Sequence, residues 1–189
     1  LRRRRYLRGS VGSSQDEVER KRSKPPKLGE SQVVELAATH FGLDVVSVSS
    51  LDSYDDRNFL VQSSSGDRYV IKLHNRVESL NRAFIQAQME ALTLLRSEGL
   101  VVPRDLTELK TYDAYALRML KYLDGRVLAE RDSDVKDLEL YYDLGVLIGK
   151  MDRILMNFDH AATHRELLWD LRSFASIREF TKSIADADR

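Results

Sequence analysis

One lysine occupies a position where it needs an anionic partner. Lys72 lies near the end of residues 67–73, an alternating and β-branched apolar stretch that predicts a strand with Lys72 half buried. Removing a lysine charge from water is costly unless an anion meets it. Glu90 follows eighteen residues later, within a helical pattern. We therefore predict that Lys72 pairs with Glu90 and faces a nucleotide phosphate. A structural ion pair is the alternative.

Composition restricts the class of protein and its partners. The 189 residues suffice for one domain, or for one domain and part of another. Lys and Arg number 30, as do Asp and Glu, and this balance argues against nucleic acid as the main partner. The chain has no cysteine, which excludes disulfides and thiolate zinc sites and fits a reducing compartment. No apolar run approaches the roughly 18 residues that span a bilayer, so no membrane partner is predicted.

The charge is unevenly distributed along the chain. Residues 1–30 contain 10 Lys or Arg and 4 Asp or Glu, a net charge of +6, which leaves −6 for the remainder. This stretch has no sustained apolar period and is interpreted as a disordered basic tail. A nuclear-localisation or polybasic surface-binding patch is one alternative, and a mitochondrial transit peptide is another. We expect a cytoplasmic protein, or a mitochondrial one if the tail is a transit peptide. Because residue 1 is leucine, the chain is interpreted as a fragment, an isoform or a processed product.

Hydrophobic periodicity predicts alternating groups of strands and helices. A helix over residues 32–41 is expected, with Ser31 as its cap and Gly42 as its end. Strands are predicted at 45–51, 58–63, 68–73, 106–111 and 115–121, and further helices at 78–97, 137–156, 166–174 and 176–184. Five antiparallel strands with one inserted helix, followed by helices alone, indicate an α+β fold with two lobes.

This order of elements resembles the amino-terminal lobe of protein-kinase-like phosphotransferases. Three segments, 51–59, 84–92 and 99–103, are similar to the aminoglycoside phosphotransferase and choline kinase superfamily, and within it to the hydroxylysine kinases. The resemblance runs over about residues 31–180. It divides the chain into a tail (1–30), a five-stranded amino-terminal lobe (31–120), a hinge (121–125) and an incomplete helical carboxyl lobe (126–189).

The resemblance also implies a nucleotide site. Lys72 would contact the α and β phosphates of ATP or GTP, accompanied by Mg²⁺, and Glu90 would hold Lys72 extended. The turn carrying Ser53, Tyr54 and Asn58 would cover the phosphates. This turn has no glycine, and its two aspartates would repel phosphate unless they are turned away or paired with Arg57.

The same resemblance places the purine and the substrate. The backbone of Leu120 and Tyr122, at the hinge, would meet the purine edge. The acceptor would be a small amino alcohol, 5-hydroxylysine in particular, phosphorylated on its hydroxyl.

The residues that perform phosphoryl transfer are not found in the sequence. The superfamily uses a His-Gly-Asp-x-x-x-x-Asn loop and a later aspartate, and His160 and His164 are out of register with that loop. We therefore expect no catalytic residue and no metal ligand in this chain, the catalytic loop being expected beyond Arg189, and no turnover by this chain alone. A non-catalytic nucleotide-binding or interaction module, or an accessory lobe fused to another enzyme, is the alternative. The uncovered apolar face of helix 137–156 is expected to promote self-association.

Overall fold

A computed structural model describes residues 24–125, 138–165, 170–172, 174–175 and 178. Most of the predicted basic tail, residues 1–23, lies outside the described residues. The predicted helices 166–174 and 176–184 also lie largely outside them, as do residues 126–137 of the predicted carboxyl lobe.

A five-stranded antiparallel sheet forms the centre of the described part, which confirms the predicted α+β class. Its strands stand in the spatial order β1-β2-β3-β5-β4. They are β1 (Val45–Leu51), β2 (Arg57–Ser63), β3 (Arg68–Leu73), β4 (Lys110–Tyr112) and β5 (Tyr115–Lys121). Gly66, at φ 87°, makes the tight turn between β2 and β3 that this register requires.

Four α-helices accompany the sheet in the part of the chain that the structure describes. They are α1 (Glu30–Phe41), α2 (Arg76–Leu80), α3 (Arg82–Ser97) and α4 (Leu138–Leu155), and a short 3₁₀ helix comes next at Ala161–Thr163. Gly42 ends α1 in the left-handed conformation at φ 63°, as predicted. The start of α1 was predicted wrongly, since Gly29 precedes the first turn, its N–H bonded to the Gln32 side chain, and Ser31 lies inside the helix.

The predicted helix over residues 78–97 is in fact two helices. Asn81 has a non-helical backbone, and its side-chain oxygen accepts a hydrogen bond from the Phe84 N–H, so it caps α3. Asn75 caps α2 in the same way through the Glu78 N–H. The break arises at Asn81, because an asparagine side chain competes with the helical backbone for its N–H groups.

The predicted strand at 106–111 is shorter than expected. Only Lys110–Tyr112 form β4, although Asp105 makes an isolated bridge to Leu120 and the Leu106 N–H donates to the Met119 carbonyl. The carbonyl of Leu109 instead accepts a hydrogen bond from Arg82 of α3. The segment therefore runs beside β5 while part of its backbone is bonded to a helix.

The two faces of the sheet have different chemistry. One face packs against α1 and forms the apolar core. Its buried members are Val33, Leu36, Ala37, Phe59, Val61, Ile71, Leu73, Leu117 and Met119. Since strand side chains alternate, the intervening residues of β2, β3 and β5 point to the opposite face, and Lys72 is among them.

Helix α4 has no buried residue along its whole length. Its exposed apolar side chains include Tyr141, Leu144 and Ile148, which share one stripe at helical spacing. None of the helices in the described ranges has the length and apolar character needed to cross a bilayer. An apolar stripe of this kind favours contact with another protein surface.

We expect the chain to self-associate through this stripe. The double variant Leu144→Lys/Ile148→Lys should shift the protein towards monomer in sedimentation velocity at micromolar concentrations, because two charges would have to be desolvated in the contact. Asp152→Lys, an exposed change on the same helix, is the control. A wild-type chain that sediments as a monomer at every concentration would contradict the expectation.

Candidate functional site

The strand register places Lys72 in the middle of the sheet face opposite α1. It lies opposite Asn58 of β2 on one side and opposite Arg118 of β5 on the other. The next row on the same face is apolar, with Val70 paired to Leu60 and to Leu120. A polar row carrying a lysine thus adjoins an apolar row, and together they can accept a ligand with an anionic end and a flat apolar end.

Asp56 is the ion-pair partner of Lys72. The distance from Lys72 Nζ to Asp56 Oδ2 is 2.5 Å. The other carboxylate oxygen, Oδ1, accepts hydrogen bonds from the Asn75 backbone N–H at 2.8 Å and from its side-chain Nδ2 at 3.0 Å. Asp56 is 8% exposed and Lys72 27%. The carboxylate is therefore buried and fixed, while the ammonium group remains accessible.

The surroundings of Asp56 keep its carboxyl ionised. Burial is the largest single influence and would raise its pKa, but the charge and hydrogen bond of Lys72 and the Asn75 N–H act in the opposite direction. The net result is a pKa below the ordinary value of 3.8. Asp56 is thus an anion at neutral pH.

This lowered pKa predicts a loss of stability in acid. A carboxyl whose folded-state pKa is depressed stabilises the fold above its unfolded pKa, and the contribution disappears as the pH falls through the folded value. For Asp56 that loss begins near pH 4 and continues below it. Urea unfolding between pH 7 and pH 2.5 should show that Asp56→Asn is less stable than wild type at pH 7 and that the difference shrinks in acid. Asp44→Asn, at an exposed site, should keep the wild-type profile.

The predicted pair between Lys72 and Glu90 is not formed. Glu90 is 49% exposed, and its carboxylate lies 4.0 Å from Nε2 of His160. Gln88 faces the sheet instead, and its Oε1 accepts a hydrogen bond from Arg118 Nη1 at 3.3 Å. Because successive helix residues are rotated by about 100°, Glu90 points roughly 200° away from Gln88.

A second ion pair lies beside the first. The Arg118 guanidinium, 3% exposed, binds Asp105 through two parallel hydrogen bonds of 2.8 Å and 2.9 Å. Arg118 and Lys72 are direct cross-strand neighbours, and two like charges in that position repel each other. Each cation has its own carboxylate, so the repulsion between Lys72 and Arg118 is compensated.

The turn before β2 does not present free aspartates to the sheet face. Asp56 is turned inward to Lys72 and not towards Arg57. Ser53 and Tyr54 are exposed. Asn58 lies across from Lys72, and its side-chain oxygen is buried without a hydrogen-bond partner. The turn therefore repels phosphate less than two free aspartates would, because Lys72 neutralises the charge of Asp56.

The predicted hinge begins with residues that are bonded to β3. Leu120 is buried and pairs with Val70, and the Tyr122 N–H donates to the Arg68 carbonyl at 3.1 Å. The Arg68 guanidinium lies 4.9 Å from the Tyr122 ring centre and forms an ion pair with Asp124. The Tyr122 N–H is therefore already engaged within the fold.

One group of side chains has the composition of a metal site. Asp56, His74 and Glu78 bring their ligand atoms within 4.8 Å of one another, and His74 is fully buried. His74 Nδ1 lies 3.1 Å from Glu78 Oε2 and 3.9 Å from Asp56 Oδ2. The Lys72 ammonium already contacts Asp56 Oδ2 and neutralises the carboxylate, and Asn75 bonds to Oδ1, so both oxygens have protein partners. We interpret the group as the anchor of Lys72.

Sequence comparison relates the chain to small-molecule kinases. No family model matches the chain. The hydroxylysine kinase of Danio rerio is 29% identical over 180 residues, which cover 86% of this chain and 50% of the relative. The hydroxylysine kinase of Mus musculus is 27% identical over 189 residues, covering 87% and 50%. The chain spans about half the length of the curated relatives that it matches.

Solved structures share the fold. An amicoumacin kinase in complex with AMP-PNP and Ca²⁺ superimposes with a TM-score of 0.60 at 14% identity, over 88% of this chain and 49% of that one. A spectinomycin phosphotransferase in complex with ADP gives 0.54 at 14% identity, over 87% and 50%. The chain is thus similar in sequence to hydroxylysine kinases and shares the fold of these phosphotransferases.

Three residues of the site, Gln88, Arg118 and Asp56, were not among the predicted site residues. Gln88 could have been found, because it shares a helical stripe with the buried Ile85 and Leu95. Arg118 is a charged residue within the apolar strand Tyr115–Lys121, which is also a signal. Asp56 had no such signal, since its role depends on the path of the turn that carries it.

Proposed function

We propose that this chain forms the nucleotide-binding lobe of a small-molecule kinase, which transfers the γ-phosphate of ATP or GTP to a substrate hydroxyl. The observation that carries the proposal is Lys72, held by a buried carboxylate beside an apolar row on the sheet face opposite α1. Relatives named as hydroxylysine kinases and fold neighbours solved with AMP-PNP or ADP support it.

In this proposal the apolar row of the sheet face binds the purine and the adjoining polar row, which carries Lys72, binds the phosphates. The purine lies against Leu60, Val70 and Leu120, whose apolar side chains suit a flat ring. The phosphates extend to Lys72, which supplies a fixed positive charge where negative charge accumulates during transfer. Ser53, Tyr54 and Asn58 border the phosphate end. Because the Tyr122 N–H is bonded to Arg68, the hinge contacts to the purine come from backbone groups that follow this N–H in the chain.

The proposed metal is Mg²⁺, which would arrive with the nucleotide. It would neutralise phosphate charge during transfer. The oxygen-rich group at Asp56 is occupied by Lys72 and Asn75, so we assign no protein ligand for Mg²⁺ among the described residues. This chain's part is to orient the phosphates through Lys72.

The proposed acceptor is a small amino alcohol, 5-hydroxylysine in particular. This assignment rests on the names of the relatives and on the similar segments 51–59, 84–92 and 99–103. We propose a cytoplasmic location, with the mitochondrion as the alternative if the Arg-rich residues 1–30 act as a transit peptide.

Calorimetric titration tests the nucleotide proposal. Mg-ATP and Mg-GTP should each bind at least about tenfold more tightly than adenosine, because a phosphate contact with an ammonium group contributes about 1.5–3 kcal/mol. Equal binding of adenosine and Mg-ATP, or no binding of any of them, would contradict the proposal.

A second candidate function is a nucleotide-binding module without turnover. The observation that favours it is the absence of a His-Gly-Asp sequence from all 189 residues. Incubation with Mg-ATP or Mg-GTP and 5-hydroxylysine should then give no phosphorylated product by mass spectrometry, even where calorimetry shows binding. Product formed by the purified chain would exclude this candidate and require a different catalytic base.

A further inference from the structure

Asn75 and Asp56 link Lys72 to the body of the fold. Asp56 lies in the turn between β1 and β2, and its two carboxylate oxygens have separate tasks. Oδ1 accepts two hydrogen bonds from Asn75, and Oδ2 contacts Lys72. Replacing either Asn75 or Lys72 would remove a partner of the Asp56 carboxylate and change its orientation.

Asn75 is itself firmly held. It is fully buried, and its side-chain oxygen accepts the Glu78 N–H at 3.0 Å. Its carbonyl accepts the Ser79 hydroxyl at 2.7 Å, and the same hydroxyl accepts the Ala116 N–H of β5. The first turn of α2 and strand β5 therefore fix the position of Asn75, and through it that of Asp56.

Two roles are conceivable for a carboxylate that touches a phosphate-binding lysine. It could occupy the phosphate's place and be displaced by the nucleotide, or it could stay and orient the lysine. Displacement would leave a buried anion and break two hydrogen bonds from Asn75. Asp56 is 8% exposed whereas Lys72 is 27% exposed, so a phosphate can approach Lys72 without moving Asp56.

We propose that Asp56, fixed by Asn75, is the positioning residue that holds Lys72 ready for the nucleotide phosphates, the task that the helix residue Glu90 was expected to perform. This inference rests on the proposed nucleotide function. It makes the turn before β2 part of the phosphate site through a side chain, and it explains how a turn without glycine can border that site. Positioning in advance lowers the cost of ordering a long lysine side chain when the ligand binds.

The test compares four variants with two ligands. Mg-ADP and adenosine are titrated into wild type, Lys72→Ala, Asp56→Asn, Glu90→Gln and Asp44→Asn. Asp56→Asn should lose about tenfold in Mg-ADP affinity and keep its adenosine affinity, since only the phosphate contact depends on Lys72. Glu90→Gln and Asp44→Asn should behave as wild type. Equal losses for both ligands in Asp56→Asn would show a merely structural role and overturn the inference.

Lys72→Ala separates the two ways of failing. If wild type and Lys72→Ala bind Mg-ADP equally, the proposed function is wrong. If Lys72→Ala loses the phosphate-dependent affinity while Asp56→Asn retains it, the function stands and the positioning role is wrong. If Glu90→Gln loses Mg-ADP affinity and Asp56→Asn does not, Glu90 of α3 and not Asp56 positions Lys72.

A second measurement needs no nucleotide. The rate at which trinitrobenzenesulfonate labels Lys72, measured by peptide mass spectrometry, should rise severalfold in Asp56→Asn and stay unchanged in Glu90→Gln, because an amine released from its carboxylate reacts more readily. An unchanged rate in Asp56→Asn would overturn the inference. If that variant does not fold, Asn75→Ser keeps the ion pair and a capping oxygen, and its labelling rate should rise by a smaller factor. An unchanged labelling rate in Asn75→Ser would also contradict the inference.

Discussion

Asp105→Ala is expected to lower the free energy of unfolding by about 3–5 kcal/mol, the usual loss when one partner of a buried ion pair is removed. Arg118 is 3% exposed and receives its two strongest contacts from Asp105. Without that carboxylate the guanidinium keeps only the 3.3 Å hydrogen bond to Gln88 and lies next to the positive charge of Lys72. Urea unfolding monitored by circular dichroism measures the loss.

Two further variants make this prediction specific. Glu108→Ala removes an exposed carboxylate from the same segment and should change stability by no more than about 0.5 kcal/mol. Adding Arg118→Met to Asp105→Ala should restore much of the loss, because the uncompensated charge is removed as well. A cost below about 1 kcal/mol for Asp105→Ala, or no recovery in the double variant, would contradict the picture of a buried, mutually dependent pair.

Lys72→Ala is expected to weaken Mg-ATP binding by roughly 10- to 150-fold, the equivalent of about 1.5–3 kcal/mol for a hydrogen bond to a charged group. Adenosine should bind this variant and wild type equally, since the apolar row at Val70 is untouched. The melting temperature should also fall, because Asp56 would remain buried without its main counter-charge.

Lys121→Ala is the matched control for the lysine. Lys121 lies on β5, is paired with Asp67 at 2.5 Å and is exposed, as is its partner. Its removal should change neither nucleotide affinity nor stability appreciably, since exposed ion pairs contribute about 0–1 kcal/mol. If Lys121→Ala weakened Mg-ATP binding as much as Lys72→Ala, the effect would be one of general charge and not of a site.

Local sequence patterns predicted the sheet well. Strands β1, β3 and β5 have the predicted bounds, because alternating and β-branched residues strongly favour extended backbone and glycine or charged residues delimit them. The short strand Lys110–Tyr112 was overestimated, since its upstream neighbours are bonded to Arg82. That contact joins residues far apart in the chain, and no local pattern contains it.

The partners of the charged residues could not be predicted from the sequence. Lys72 and Arg118 become neighbours only through the register of β3 with β5, two strands separated by both α2 and α3. Asp56 reaches Lys72 because its turn folds back over the strand ends and Asn75 holds it there. Such pairings depend on tertiary geometry. The sequence therefore showed which charged residues are present but not which of them pair with each other.

The contacts between Arg68 and residues 122–124 affect how the molecule can move. The backbone bond from Tyr122, the ring contact and the ion pair with Asp124 all join this segment to the first residue of β3. Residues 121–124 therefore move with the strand that carries Lys72, as parts of one rigid body. Because the ion pair between Arg68 and Asp124 is exposed, high salt should loosen the attachment of residues 122–124 to β3.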